Sequence, residues 1–149
     1  MTHRVFVLNG PRLDLLGRPG NDLHGKTTLA DIEHRCAQLA AELGLDLFFA
    51  QTDQEDRLVA WVHEAKDEAA AVVVNPADLA YSSIALLDAL GLLHQPVVEV
   101  HLANIFRPGP DQRHPITIAR SWGFVVGLGP SGYELALRGL AGRLAGERH

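Results

Sequence analysis

The chain has 149 residues, 47% of them hydrophobic and 21% charged, with a formal net charge of −5. That composition describes one globular domain over residues 1–149, long enough to bury a full core. An acidic balance with scattered basic residues excludes a nucleic-acid surface, no apolar run reaches the roughly 18 residues of a membrane span, and the start Met1-Thr2-His3-Arg4-Val5 carries no signal peptide and points to the cytoplasm.

Arg4–Asn9 is a short apolar run stopped by Gly10-Pro11, and it reads as the first strand. From Pro11 to Gly25 the chain holds Gly17, Pro19, Gly20, Asn21 and Gly25. That density of breakers excludes a helix, and loops of such length are usually lids or binding loops. Thr28 begins a helix with Asp31 placed for a capping box. Leu29, Ile32, Cys36, Leu39, Ala40 and Leu43 recur at helical spacing until Gly44 stops the pattern. Cys36 is the only cysteine, so no internal disulfide can form, and it reads as a small core residue.

Leu45–Gln51 is the second strand. Thr52-Asp53 caps a second helix whose buried stripe is Leu58, Trp61, Val62 and Ala65. Ala71–Asn75 is the third strand, ended by Pro76. Tyr81-Ser82-Ser83 begins a third helix, with Ile84, Leu87 and Leu90 expected inward and an end near 91–94. Val97 to Asn104 contains the fourth strand, Phe124–Leu128 is the fifth, and Pro130–Leu144 is the last helix with Tyr133, Ala136, Leu137, Leu140 and Leu144 as its stripe. Arg107–Pro115 is a second breaker-rich loop. The alternation of strand and helix predicts a flavodoxin-like, doubly wound α/β fold. Five parallel strands are expected in the order 2-1-3-4-5, with helices on both faces.

The chemistry concentrates at strand ends. Glu99 and His101 are two residues apart on the fourth strand, so both side chains leave the same face. A carboxylate beside an imidazole fixes its tautomer and raises its basicity. Asn104 adds a donor and acceptor just past the strand. Asn9 and Asn75 end the first and third strands, and ligands in open parallel sheets bind outside the carboxyl ends of strands. Gly127-Leu128-Gly129-Pro130-Ser131-Gly132 spells a dinucleotide fingerprint. It follows the last strand, however, with no acidic residue about twenty positions on, so no nucleotide cofactor is expected. No histidine, cysteine or carboxylate spacing points to a metal.

Several of these runs stand in a specific order and spacing. They are Leu8-Asn9-Gly10-Pro11, Leu15-Leu16-Gly17, Gln51-Thr52-Asp53, Asn75-Pro76, Glu99-Val100-His101-Leu102-x-Asn104 and Gly127-Leu128-Gly129-x-x-Gly132-Tyr133. Together they resemble the type II 3-dehydroquinate dehydratases over nearly the whole chain. The resemblance implies a lyase of the shikimate pathway of aromatic amino acid biosynthesis. Such an enzyme removes water from 3-dehydroquinate, a cyclic carboxylic acid, through an enolate and without a cofactor. It also implies a homo-oligomer, a trimer that packs into a dodecamer.

Carried over by position, His101 with Glu99 matches the general-acid pair and Asn75 matches a carboxylate-binding asparagine. Asp88 matches an aspartate that reaches a neighbouring subunit's site, and Leu102 matches a backbone contact. Other positions depart from the pattern. The base tyrosine falls on His24, the water-binding asparagine on Arg12, the hydroxyl-binding histidine on Tyr81 and the carboxylate-binding serine on Ala103. The loop arginines fall on Pro19, Pro108 and Gln112, with Arg18, Arg107 and Arg113 one residue away. A tyrosine base has to ionise against an ordinary pKa near 10, which calls for arginines. A histidine ionises ordinarily near 6.5 and needs none. His24 as base and the displaced arginines therefore read as one coordinated change, with Arg12 free to stabilise an enolate or grip a more acidic ligand. The alternative is a non-catalytic or substrate-shifted relative, which binds a small carboxylic acid or assembles with an active paralogue.

Overall fold

The computed structural model describes residues 2–107, 109 and 113–146. Pro108 and Gln112, on which two family arginines fall, lie outside them, as does His149. A five-stranded parallel sheet has the order β2-β1-β3-β4-β5, as the alternation of patterns requires. Its strands are β1 His3–Asn9, β2 Leu45–Gln51, β3 Ala71–Asn75, β4 Val97–His101 and β5 Gly123–Val126. The helices are α1 Leu29–Leu43, α2 Glu55–Glu68, α3 Leu79–Ser82, α4 Ile84–Gly91 and α5 Gly132–Leu144.

The period-2 geometry of the strands builds two cores. Val5, Val7, Val73, Val98 and Val100 face one side, where α1 and α5 cover them with Ile32, Leu39, Leu137 and Leu140. Phe6, Leu8, Val72, Val74 and Val97 face the other side, against Leu58 and Val62 of α2 and Leu86 and Leu90 of α4. Both faces are thus dry, which is why the central strands read as continuous apolar runs rather than as alternating ones.

Local chemistry sets the boundaries. Thr28 caps α1 as expected: Asp31 N–H donates to Thr28 Oγ1 at 3.1 Å and Thr28 N–H donates to Asp31 Oδ2 at 2.9 Å. Gly44 ends α1 in the left-handed region at φ 70°. Cys36 is buried in the core, and that burial pushes its thiol up to about 12, as suits an inert packing residue.

Five expectations need correction. The cap of α2 is Gln54, without a side-chain bond, because the Asp53 carboxylate is drawn away to the Arg12 backbone. The third helical segment is broken in two, with the buried Ser83 capping α4 by accepting from Leu86 N–H at 3.0 Å. That cap sets the helix phase, so Leu86, Ala89 and Leu90 point inward while Ile84 is 60% exposed and Leu87 is only partly buried. β5 stops at Val126, because Gly127 turns the backbone to φ 86° and donates to His101 O at 3.1 Å. The last helix begins at Gly132 after a 3₁₀ turn over Gly129–Ser131. A Cβ at Gly132 would lie 3.3 Å from Val100 Cγ1, so glycine lets α5 close onto the sheet.

Candidate active site

Strand register brings the polar strand ends to one edge. Asn9 pairs in register with both Gln51 and Asn75, and Val74 with Glu99, so His101 projects beyond the end of β3. A cleft of about 230 Å³ opens there. Its polar lining is His24, Asn75, Asp78, Tyr81 and His101. Leu13, Leu16, Leu102 and Ile105 form its apolar wall, with Ala77 and Ala103 completing it. A larger depression of about 390 Å³ lies between α1 and α5, where it is lined mainly by polar and charged helix side chains. It shares no residue with the strand-end cleft, so the volumes alone do not locate the chemistry.

His101 and Glu99 meet as their spacing requires. His101 Nε2 lies 2.7 Å from Glu99 Oε2, with both residues buried. The other ring nitrogen is left for the cleft that His101 lines. A buried carboxylate in contact with one ring nitrogen orients the imidazole and fixes which nitrogen faces the cleft, the arrangement a proton donor and acceptor needs.

Asn75 is held from behind. The Tyr133 hydroxyl donates to Asn9 Oδ1 at 2.7 Å and accepts from Asn75 Nδ2 at 2.9 Å. Asn9 Nδ2 donates to Ala50 O at 3.0 Å, and Ala77 N–H donates to Asn75 Oδ1 at 3.1 Å. Tyr133 is completely buried, and burial pushes its hydroxyl well above the ordinary tyrosine range, so it acts as a neutral bridge. Sequence periodicity placed Tyr133 in the core stripe of α5 but carried no sign of this bridge.

The first long loop, the expected lid or binding loop, supplies Leu13, Leu16 and His24 to the cleft wall. A 3₁₀ turn over Leu13–Leu15 follows Arg12, whose backbone is left-handed at φ 66°. That conformation is uncommon for a residue other than glycine. The Arg12 N–H is held by Asp53 Oδ1 at 2.8 Å, and Gln51 Nε2 donates to the same oxygen at 3.0 Å. Those two donors hold the Asp53 carboxyl below its ordinary range, the Arg12 amide being the larger cause. Farther along, Gly17 turns the chain at φ 79°, and His24 comes back to the cleft wall.

Asp78 gathers the mouth of the cleft. Its Oδ2 pairs with the Arg12 guanidinium, and its Oδ1 lies 3.7 Å from the Arg113 guanidinium. Arg113 also stacks over the Tyr81 ring, 4.3 Å from the ring centre. Partial burial raises the Tyr81 hydroxyl above its ordinary value, with Arg113 opposing the shift.

The fold therefore brings His24, Asn75, Tyr81, His101, Leu102 and Ala103 to one cleft, with Glu99 behind His101. Arg12 and Arg113 reach its mouth through Asp78, which sequence reading passed over because one aspartate after an Asn-Pro turn looks like turn chemistry. Asp88 is exposed on α4 and is not among the residues that line this cleft. Asn104 is spent locally, its Oδ1 accepting from Phe106 N–H at 3.1 Å. Among the described residues no three His, Cys, Asp or Glu side chains are grouped as a metal site would need.

Comparison with known proteins agrees with this fold. The family model described as dehydroquinase class II matches residues 3–141. The 3-dehydroquinate dehydratase of Salinispora tropica is 47% identical over 140 residues, covering 94% of this chain and 98% of the relative. The 3-dehydroquinate dehydratase 2 of Agrobacterium fabrum is 42% identical, covering 90% of this chain and 91% of the relative. Among solved structures, the type II dehydroquinase from Propionibacterium acnes superposes with a TM-score of 0.88 at 42% identity, covering 95% of this chain and 97% of that one.

Proposed function

The chain belongs to the class II dehydroquinase family, and from that premise we propose that it is a hydro-lyase removing water from 3-dehydroquinate or a closely related cyclic hydroxy-acid. The observation that carries the proposal is the buried His101–Glu99 contact of 2.7 Å, opening on a cleft that also holds His24 and Asn75. In this reading His24 takes the proton on the carbon beside the ketone, and the electron pair moves onto the ketone oxygen as an enolate. When the ketone re-forms, the carbon–oxygen bond of the β-hydroxyl breaks. His101 protonates the leaving oxygen, which departs as water, and Glu99 positions the ring. Asn75 and the backbone at Leu102 and Ala103 hold the substrate carboxylate, and Arg12 lies on the lid side of the enolate. Each proton in these steps passes between a side chain and the substrate.

The test is to add 3-dehydroquinate to the purified protein and follow the conjugated enone by ultraviolet absorbance. His101→Ala is expected to lower turnover by at least about a hundredfold. Equal turnover in wild type and variant would overturn the assignment. The oligomer belongs to the same proposal: a trimer packing into a dodecamer, with Asp88 reaching a neighbouring subunit's cleft, to be read by sedimentation. One observation favours a second reading. The Arg12 guanidinium is engaged by Asp78 rather than left unpaired toward the cleft, which suits a substrate-shifted or non-catalytic binder of a small carboxylic acid. A folded protein without turnover that still binds such acids would establish that reading.

A further inference from the structure

Asp78, Tyr81 and Arg113 stand at the cleft mouth and take no part in the proton transfers. Asp78 is at their centre, half exposed and lining the cleft, with one oxygen toward Arg12 and the other 3.7 Å from Arg113. An ionised carboxylate only accepts hydrogen bonds and offers about four lone-pair positions, so two guanidiniums leave acceptor capacity unused. The arginines only donate. Tyr81, stacked 4.3 Å beneath Arg113, does both through its hydroxyl. The rim thus sets an acceptor-only group between two donor-only groups, with a hydroxyl that does both beside them.

That arrangement fits hydroxyls, each of which donates one hydrogen bond and accepts others. A ligand carboxylate set directly against Asp78 would meet its charge at close range, where like charges disfavour one another. We infer that Asp78, held in place by Arg12 and Arg113, is the specificity-determining residue for the ring hydroxyls of the ligand. It selects a vicinal diol and turns the ligand so that its carboxylate points away, toward Asn75. The left-handed Arg12, fastened by Asp53 at 2.8 Å, forms one end of this clamp, and the left-handed Ala77 at φ 53° precedes Asp78 at its centre. Strained backbone of that kind persists where surrounding structure holds a functional geometry. The inference deepens the dehydratase proposal and rests on it for the ligand class.

The experiment is calorimetric titration of 3-dehydroquinate, and of its analogue lacking the C5 hydroxyl, into His101→Gln protein. Glutamine there keeps a donor for Glu99 and removes the imidazole proton, so binding is read without turnover. The parent compound is expected to bind about tenfold or more tighter than the deoxy analogue, as a hydrogen bond to a charged group warrants. Adding Asp78→Ala should bring that preference close to one. Asp78→Asn, which keeps one acceptor without the charge, should leave an intermediate preference. A purely structural Asp78 would weaken both ligands alike, and an unchanged ratio would overturn the inference. So would a preference absent before Asp78 is altered, or binding of neither compound. An Asp78-dependent preference in a protein whose wild type shows no dehydration would sustain the inference while removing the dehydratase proposal.

Discussion

Replacing Tyr133 by phenylalanine removes one oxygen atom from the interior and tests whether the Asn9–Tyr133–Asn75 bridge holds the cleft. The ring packing is kept, but two hydrogen bonds of 2.7 and 2.9 Å are lost. Asn9 Oδ1 and one proton on Asn75 Nδ2 are left behind in residues that are 0% and 2% exposed. An orphaned buried polar group costs about 1–3 kcal/mol, and phenylalanine recovers part of this because no hydroxyl has to be desolvated, so a loss of about 2–4 kcal/mol is expected. That is well inside the roughly 5–15 kcal/mol of an ordinary domain, so the variant should still fold. In urea the midpoint should fall with the slope unchanged, and melting should drop by about 5–15 °C for a chain of this size. Protein concentration has to be matched, since subunit association, where it occurs, adds to apparent stability. KM should rise, because Asn75 loses the partner that aims it. A stability loss below about 0.5 kcal/mol, the size of a neutral surface change, would refute the bridge and mean that both asparagines find other partners.

His24→Ala is expected to lower kcat by about 10²–10⁴ if His24 is the base, read in the enone absorbance assay, and unchanged kcat would remove that role. Gly17→Ala should loosen the lid, because its φ is 79° and a Cβ would lie 2.5 Å from Thr27 O. Up to about a hundredfold loss of kcat/KM is expected, with faster hydrogen exchange confined to the loop, and normal activity would show that the lid does not set the geometry. Asp53 supplies a pH prediction. Its folded pKa is lowered by the Arg12 amide and by Gln51, so its contribution to stability is present above the ordinary value near 3.9 and lost as pH falls through the folded value. The advantage of wild type over Asp53→Asn in urea unfolding should therefore be seen at about pH 6 and fade by about pH 3, and an advantage undiminished at the lower pH would contradict it.

Local sequence carried much of what depends on short range. Strand runs such as Ala71–Asn75, the Thr28 cap and the Gly44 stop follow from periodicity and backbone chemistry within a few residues, and they stand where they were read. The Glu99–His101 contact was legible for the same reason, since a spacing of two on a strand puts both side chains on one face. The phase of α4 was not, because Ile84, Leu87 and Leu90 fit one apolar stripe as well as Leu86, Ala89 and Leu90 fit another, and only the buried Ser83 cap chose between them. Tertiary structure alone decided what joins residues far apart in the chain. Asp53 reaches Arg12 across 41 positions, Asp78 reaches Arg12 across 66, and Tyr133 reaches Asn9 across 124. A carboxylate in a turn or a tyrosine in a helix stripe has the same local pattern whatever it later meets. Its partner is set by sheet order and register, and so by the whole chain at once.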